Sequence, residues 1–263
     1  MSDPSLAGRR VLVTRDIERA RAAAVAVERR GGVAVVFPVI AFAPPLDPGP
    51  LERALRSIRD YTHVAVSSPT GAAVLARGVP EGLLASLAPG RPRFVAVGRK
   101  TASVLEKAGA NGVRVPERQD AEGLLASLLE DGAAAGRTLV LRAEMGRDVA
   151  IDGLRAAGGI VEVVVAYRTV TASPTAAEID ALCLAPPPDA ALFLSPSAFD
   201  GLFGILGEAR ARALLQHAVR IAIGDVTAAA MAARGLPPDR IPPRPDLETV
   251  LDTLAEALAP VPA

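Results

Sequence analysis

The sequence has no tryptophan, a single cysteine and only two lysines, Lys100 and Lys107, and each scarcity narrows what it can be. Aromatic residues make up 3% of the chain, too few for the stacking platforms on which single-stranded nucleic acid lies. Basic and acidic residues balance at 29 each with no basic block, so neither nucleic acid nor a membrane surface has an electrostatic foothold. With Cys183 alone no disulfide can close within the chain, and a reducing compartment is expected. His63, His217 and Cys183 are too few for a soft-ligand metal site, and no metal or other cofactor is expected. Cys183 reads as a small core residue in an apolar helix, and the two histidines as structural or solvated. The first residues form no hydrophobic signal region, and the longest apolar run, Val33 to Pro45, is broken by Pro38 and Pro44. A soluble cytoplasmic protein is expected.

What the sequence does have is itself twice. Val95 to Ala102 is echoed 126 residues later by Ile221 to Ala228, with Gly98 answering Gly224 and Thr101 answering Thr227. At 127 residues, Ser68-Pro69 is echoed by Ser195-Pro196, Arg10 to Arg15 by Arg137 to Arg142, and Gly31-Gly32 by Gly158-Gly159. Half of the residues are hydrophobic, enough for two cores, so the chain reads as two α/β modules of one design.

Short β-branched runs alternate with Ala/Leu/Arg segments of helical spacing, the pattern of parallel sheets with right-handed crossovers. The expected strands are Val11–Thr14, Val33–Phe37, His63–Ser67, Phe94–Val97, Val113–Val115, Leu139–Leu141, Ile160–Ala166, Ala190–Leu194 and Arg220–Ile223. Ile17–Arg30, Thr101–Ala108, Glu122–Leu129 and Leu247–Leu258 read as helices. Extended stretches follow the two equivalent βαβ units, at Pro38 to Pro45 and at Val163 to Thr169. The expected organisation is a discontinuous domain of residues 1–37 and 170–263, a second domain of residues 44–162, and connectors at 38–43 and 163–169. Two crossings predict a hinge, and a hinge between α/β lobes predicts a cleft.

In open parallel sheets, ligands bind beyond the carboxyl ends of the strands, where helix N-termini offer free N–H groups. This sequence fills those turns with small polar residues: Thr14 to Asp16, Ser67 to Gly71, Gly98 to Thr101, Arg142 to Arg147, Ser195 to Ser197 and Gly224 to Thr227. Each serine or threonine reads equally as an ordinary helix cap, but six such turns together describe a receptor for a polyanion. A P-loop is excluded because Arg93 stands where its first glycine belongs, and dinucleotide, serine-hydrolase and zinc-protease motifs are absent. Carboxylates are scattered rather than paired, so an enzyme of this kind needs an intrinsically reactive substrate. Tyr167, beside Arg168 on the second connector, is either a filler between lobes or a phenol placed as a weak acid. Tyr61 reads as surface or packing.

The order and spacing of Val11 to Arg15, Phe37 to Ile40, Val66 to Pro69, Val97 to Ala102, Asp120 to Leu124, Leu141-Arg142, Ala166 to Thr169, Ser195 to Ala198 and Ile223 to Ala228 resemble the uroporphyrinogen-III synthase family. The likeness runs from about residue 10 to about residue 258, and it rests on the pieces together, not on any one of them. It implies two α/β lobes, and a cyclising hydro-lyase that closes hydroxymethylbilane with inversion of ring D and loss of water. That places it in the biosynthesis of haem, sirohaem and cobalamin. It implies a pyrrole that expels its own hydroxyl, an azafulvene that unaided closes to the wrong isomer, and a spiro intermediate that the protein steers. By the same resemblance Tyr167 is the acid, and Thr101, Thr227, Ser68, Ser195, Gly98, Gly224, Arg15, Arg142 and Lys100 hold the substrate. A monomer is expected, since no stripe of residues suggests an interface, with transient contact with the upstream deaminase. Thr70, where the family often has asparagine, and Asp225, an acid beside an anion site, depart from its pattern. Two other readings stay open: a non-catalytic two-lobed tetrapyrrole or polyanion sensor, and a nucleotide-sugar or phosphoribosyl transferase.

Overall fold

The computed structural model describes residues 5–88 and 91–259; residues 1–4 and 260–263, the outer ends of the expected first domain, lie outside them. The chain begins with β1 (Arg10–Val13), α1 (Ile17–Arg29), β2 (Val33–Val36), β3 (Ile40–Ala43), α2 (Gly49–Arg56), β4 (His63–Val66) and α3 (Pro69–Gly78). It continues through β5 (Arg93–Ala96), α4 (Arg99–Lys107), α5 (Ala121–Glu130), β6 (Arg137–Ala143), α6 (Val149–Ala156) and β7 (Ile160–Thr171). The remainder is α7 (Ala176–Leu184), β8 (Ala190–Phe193), α8 (Pro196–Leu206), α9 (Glu208–Leu215), β9 (Val219–Ala222), α10 (Asp225–Ala233) and α11 (Leu247–Leu258). This is the α/β class that the alternation predicts. No helix among the described residues is long and apolar enough to cross a membrane.

Two compact units result, Met1–Ala41 with Val170–Ala263, and Phe42–Thr169. The first holds a four-stranded sheet in the order β2-β1-β8-β9, and the other sheet runs β3-β7-β6-β4-β5. Apart from the edge strand β3, the two orders are the same order: β1, β2, β8 and β9 start 126 or 127 residues away from β6, β7, β4 and β5. The pairs β1–β2, β1–β8 and β8–β9 are parallel, as are β6–β7, β4–β6 and β4–β5. Gly31 and Gly158 both take a positive φ (78° and 93°) at the turn from helix to strand, which is why the glycine pairs recur.

Alternation along each strand sends side chains to two cores per sheet. In the second unit Val64, Val66, Phe94, Ala96, Leu139 and Leu141 face α2, α3 and α4, whereas Ala65, Val95 and Val140 face α5 and α6. In the first, Leu12, Ala191 and Phe193 face α7 to α10, and Val11, Val13 and Leu192 face α1 and α11. Burial on both faces is why these strands read as continuous apolar runs.

Two expectations change. Val113–Val115 is not a strand but a single parallel bridge of Arg114 to Val95, because Pro116 removes the next donor; the other unit repeats it with Arg240 and Ile221. Cys183 is exposed rather than buried. Its helix α7 buries only Leu182, since its apolar residues are spread around the axis and Leu184 is 85% exposed. Of the two readings of Tyr61, surface or packing, the structure takes packing: it is a core residue, 1% exposed.

The Tyr61 hydroxyl donates to Glu162 at 2.8 Å, Arg137 pairs with the same carboxylate at 2.8 Å, and the guanidinium lies 4.8 Å from the Tyr61 ring centroid. Burial pushes the Glu162 carboxyl up, but the Tyr61 hydroxyl and Arg137 outweigh it and hold it below its usual range. Tyr61→Phe is expected to cost about 1.5–3 kcal/mol at neutral pH, the worth of a hydrogen bond to a charged group. Because the folded carboxyl titrates lower than the unfolded one, that stabilisation is present above the unfolded pKa and fades as pH falls through the folded one. Urea unfolding of both proteins at neutral pH and again in the acid range should show the gap closing.

Candidate active site

In the second unit the crossover from β4 passes through α3 to β5 on one side, and that from β6 passes through α6 to β7 on the other. The strand order therefore reverses between β4 and β6, and a crevice opens beyond their carboxyl ends. A pocket of about 300 Å³ lies there, lined by Ser67 and Ser68 after β4, Val97 after β5, Arg142 and Ala143 at the end of β6, Met145 to Arg147 after it, and Tyr167 on β7.

Tyr167 reaches this pocket by an irregularity in the sheet. Along β6 and β7 the register pairs Arg142 with Val165 but Ala143 with Tyr167, so Ala166 is an extra residue. Val164 and Ala166 face the core under α2 to α4, and the bulge turns Tyr167 to that same face, where strict alternation would reverse it. Tyr167 is 9% exposed, stands edge-on to Phe42 with ring centroids 5.1 Å apart, and donates its hydroxyl to Ser68 Oγ at 3.1 Å.

Ser68 is the N-cap of α3, extended in backbone, accepting the Gly71 N–H at 3.0 Å with Pro69 opening the helix. Its oxygen thus accepts from Gly71 and from Tyr167, and its own hydrogen is left for a ligand. Ser195 caps α8 in the same way, accepting from Ala198 at 3.2 Å, but its hydroxyl neighbour is Ser197 at 3.1 Å.

Gly98 and Gly224 precede α4 and α10 with extended backbones and no side-chain cap of their own. The two helix starts then differ. Gln119 Oε1 accepts the Arg99 N–H at 3.1 Å, and a Cβ on Gly98 would lie 2.5 Å from that oxygen. Nothing lies within 4 Å of a Cβ on Gly224. Around the first helix start Arg99 and Lys100 are exposed and, among the described residues, have no ion-pair partner; around the second stand Asp225 and Val226. Thr101 and Thr227 sit in the first turns, 1% and 2% exposed.

The two arginines expected to meet carboxylates are already engaged. Arg142, its side chain 13% exposed, pairs with Asp148 and donates to Ala143 O at 3.0 Å and Gly146 O at 2.9 Å, so it staples its own loop. Arg15 is half-buried and 3.7 Å from Asp16; burial first, then Arg19, pushes its guanidinium below the usual range, against Asp16. Sequence reading missed Gln119, which precedes the cap Asp120; Arg147, inside a turn that it did mark, lines the pocket and pairs with Glu122 at 2.9 Å. The recurrence of capping aspartates at Asp120 and Asp246 is the signal that would have drawn attention to Gln119.

Ser68, Arg142 and Tyr167 are thus brought together, with Gly98, Lys100 and Thr101 at the adjoining helix start. Arg15, Ser195, Gly224 and Thr227 lie at the carboxyl end of the other unit's own sheet. No group of three or more His, Cys, Asp or Glu among the described residues is placed to hold a metal. The chemistry on offer is hydrogen-bond donation from neutral hydroxyls and N–H groups, with one phenol and, at the start of α4, the exposed cations Arg99 and Lys100. Replacing Arg142 by alanine should free the loop from Ala143 to Asp148, and tryptic cleavage after Arg147 should quicken about tenfold, as local opening becomes cheaper. An unchanged cleavage rate would show that the loop holds itself.

The family model described as "Uroporphyrinogen-III synthase HemD" matches residues 21–252. No curated protein matches the sequence. Among solved structures, uroporphyrinogen-III synthetase from Helicobacter pylori is similar at 19% identity, with 95% of this chain and 100% of that one covered and a TM-score of 0.59. A mutant uroporphyrinogen III synthase from the extremely thermophilic bacterium Thermus thermophilus is similar at 21% identity, over 94% and 98%, with a TM-score of 0.53. These two likenesses speak for the fold, and the family model spans most of the sequence: the chain belongs to the uroporphyrinogen-III synthase family, cyclising lyases of tetrapyrrole biosynthesis.

Proposed function

We propose that the pocket at the switch point between β4 and β6 is where this lyase works on hydroxymethylbilane, with Tyr167 as the acid. The single observation that carries this is the hydrogen bond from the Tyr167 hydroxyl to Ser68, at the mouth of a pocket without any strong base or nucleophile. Such a site suits a substrate that ionises on its own. A pyrrole nitrogen pushes out the hydroxyl, which takes a proton and leaves as water. Ser68 passes its hydrogen to that hydroxyl and is refilled by Tyr167, so the phenolate is transient and recovers its proton when the new ring loses one. The substituted carbon of ring D then attacks the azafulvene, and the spiro intermediate breaks the old bond and re-forms it at the free position. Holding ring D for that attack is a matter of orientation rather than of acid strength.

The substrate's carboxylates fall to the neutral donors of Gly98 and Thr101, with Lys100, in one unit and to those of Ser195, Gly224 and Thr227 in the other. Arg142 and Arg15 shape the turns from which those donors point. Residues 38–43 and 163–169 are read as the segments where the chain passes between its two domains. A monomer in the cytoplasm, meeting the deaminase that supplies the unstable bilane, completes the proposal. Family membership favours this over a non-catalytic binding module.

The test is isomer analysis of bilane generated in situ. The native chain is expected to yield mainly isomer III. Tyr167→Phe should lower turnover about 100-fold, within the usual range for loss of a general acid, while the product stays isomer III. Isomer I alone, at the rate seen without protein, would sink the catalytic reading; full turnover by Tyr167→Phe would remove Tyr167 from it.

A further inference from the structure

Tyr167 is a wall of two cavities, the first being the pocket beside Ser68. The second, of about 370 Å³, runs between α2 and α3 and ends against Phe42, Ala166 and Tyr167. Its shape follows from the helices. Leu55 of α2 packs so closely on Gly78 of α3 that a Cβ there would lie 2.3 Å from Leu55 Cδ1 and the leucine would have to turn aside. Thr70, Val74 and Arg77 are spaced to share one face of α3, and Leu51 and Leu55 share one of α2.

The lining divides by chemistry. The walls are apolar and, at the Tyr167 end, aromatic, with the edge-to-face pair of Tyr167 and Phe42. The far end carries cations. Arg56 is 3.7 Å from Glu52, an exposed pair of the kind that contributes little. Arg77 is exposed and has no ion-pair partner among the described residues. Thr70 and Arg77 are seven residues apart on one helix, about 10 Å at 1.5 Å per residue, the reach of a pyrrole ring with one extended propionate. An aromatic end and a cationic end at that spacing fit a flat ring bearing a carboxylate on a short arm.

We infer that this groove takes one carboxylate-bearing pyrrole of the linear tetrapyrrole, with Arg77 as its specificity-determining residue. The inference rests on the reading given under the proposed function and adds a ring subsite to it. The ring lies against Phe42 and Tyr167 and its propionate meets Arg77. A neighbouring ring occupies the pocket beside Ser68, and Tyr167 stands between the two.

The test compares Arg77→Glu, Arg77→Lys and, as a control for net charge, Arg210→Glu on the other unit, all at exposed positions. Arg77→Glu is expected to raise KM for the bilane about tenfold, the cost of one lost carboxylate contact turned to repulsion. Its kcat should stay within about threefold of the native value, because the acid is untouched. The share of isomer I should rise, since bilane that is not held closes unaided. Arg77→Lys should restore most of the affinity, and Arg210→Glu should behave as the native chain does. If the native chain makes isomer III and Arg77→Glu keeps the native KM, or loses kcat alone, the groove is not a ring subsite and the catalytic reading stands without it. If the native chain makes only isomer I, both fall together.

Discussion

One extra residue in one strand governs the site. The bulge that lets Ala143 pair with Tyr167 puts Ala166 and Tyr167 on the same face of the sheet, which regular pleating forbids. Without it the phenol would point to the α5–α6 face, away from Ser68. With it, Tyr167 is gripped by Phe42 and by the cap of α3, and it separates two cavities. The helix cap, the phenol and the pocket wall are therefore one mechanical unit.

The disposition of charge around that unit explains its chemistry. The chain is rich in arginine, yet the guanidinium groups that line the pocket are held by the protein itself, Arg142 by its loop and Arg147 by Glu122, and Arg15 in the other unit is held by Asp16. What the pocket itself offers is hydroxyl and backbone N–H, and the unpaired cations among the described residues stand outside it, Arg99 and Lys100 at the adjoining helix start and Arg77 in the second groove.

Duplication supplied the frame, and divergence supplied the roles. Both units keep the same strand order, the same serine caps and the same glycine-led helices. One helix start is covered by Gln119 and flanked by Arg99 and Lys100, and the other is open and carries Asp225. Tyr167 exists in one copy only; the residue 127 positions earlier is Ile40.

Much of this was legible in the chain as written. The alternation of apolar runs dictates parallel sheets, the repeats at 126 and 127 residues dictate two similar modules, and Ser68-Pro69 and Ser195-Pro196 announce helix starts, because these are local matters of periodicity and capping. Other features depended on partners distant in sequence. Arg142 looks like a free cation until Asp148 and the carbonyls of its loop close on it, and Gln119 looks like a surface residue until the start of α4 is placed against it. Cys183 looks buried because composition counts apolar residues without saying on which side of the helix they fall. The sequence by itself determined the elements and their caps, since those are set by neighbours a few residues away. Only the tertiary structure decided the bulge at Ala166, the engagement of the arginines and the two cavities beside Tyr167, since each arises where segments far apart in the chain are packed together.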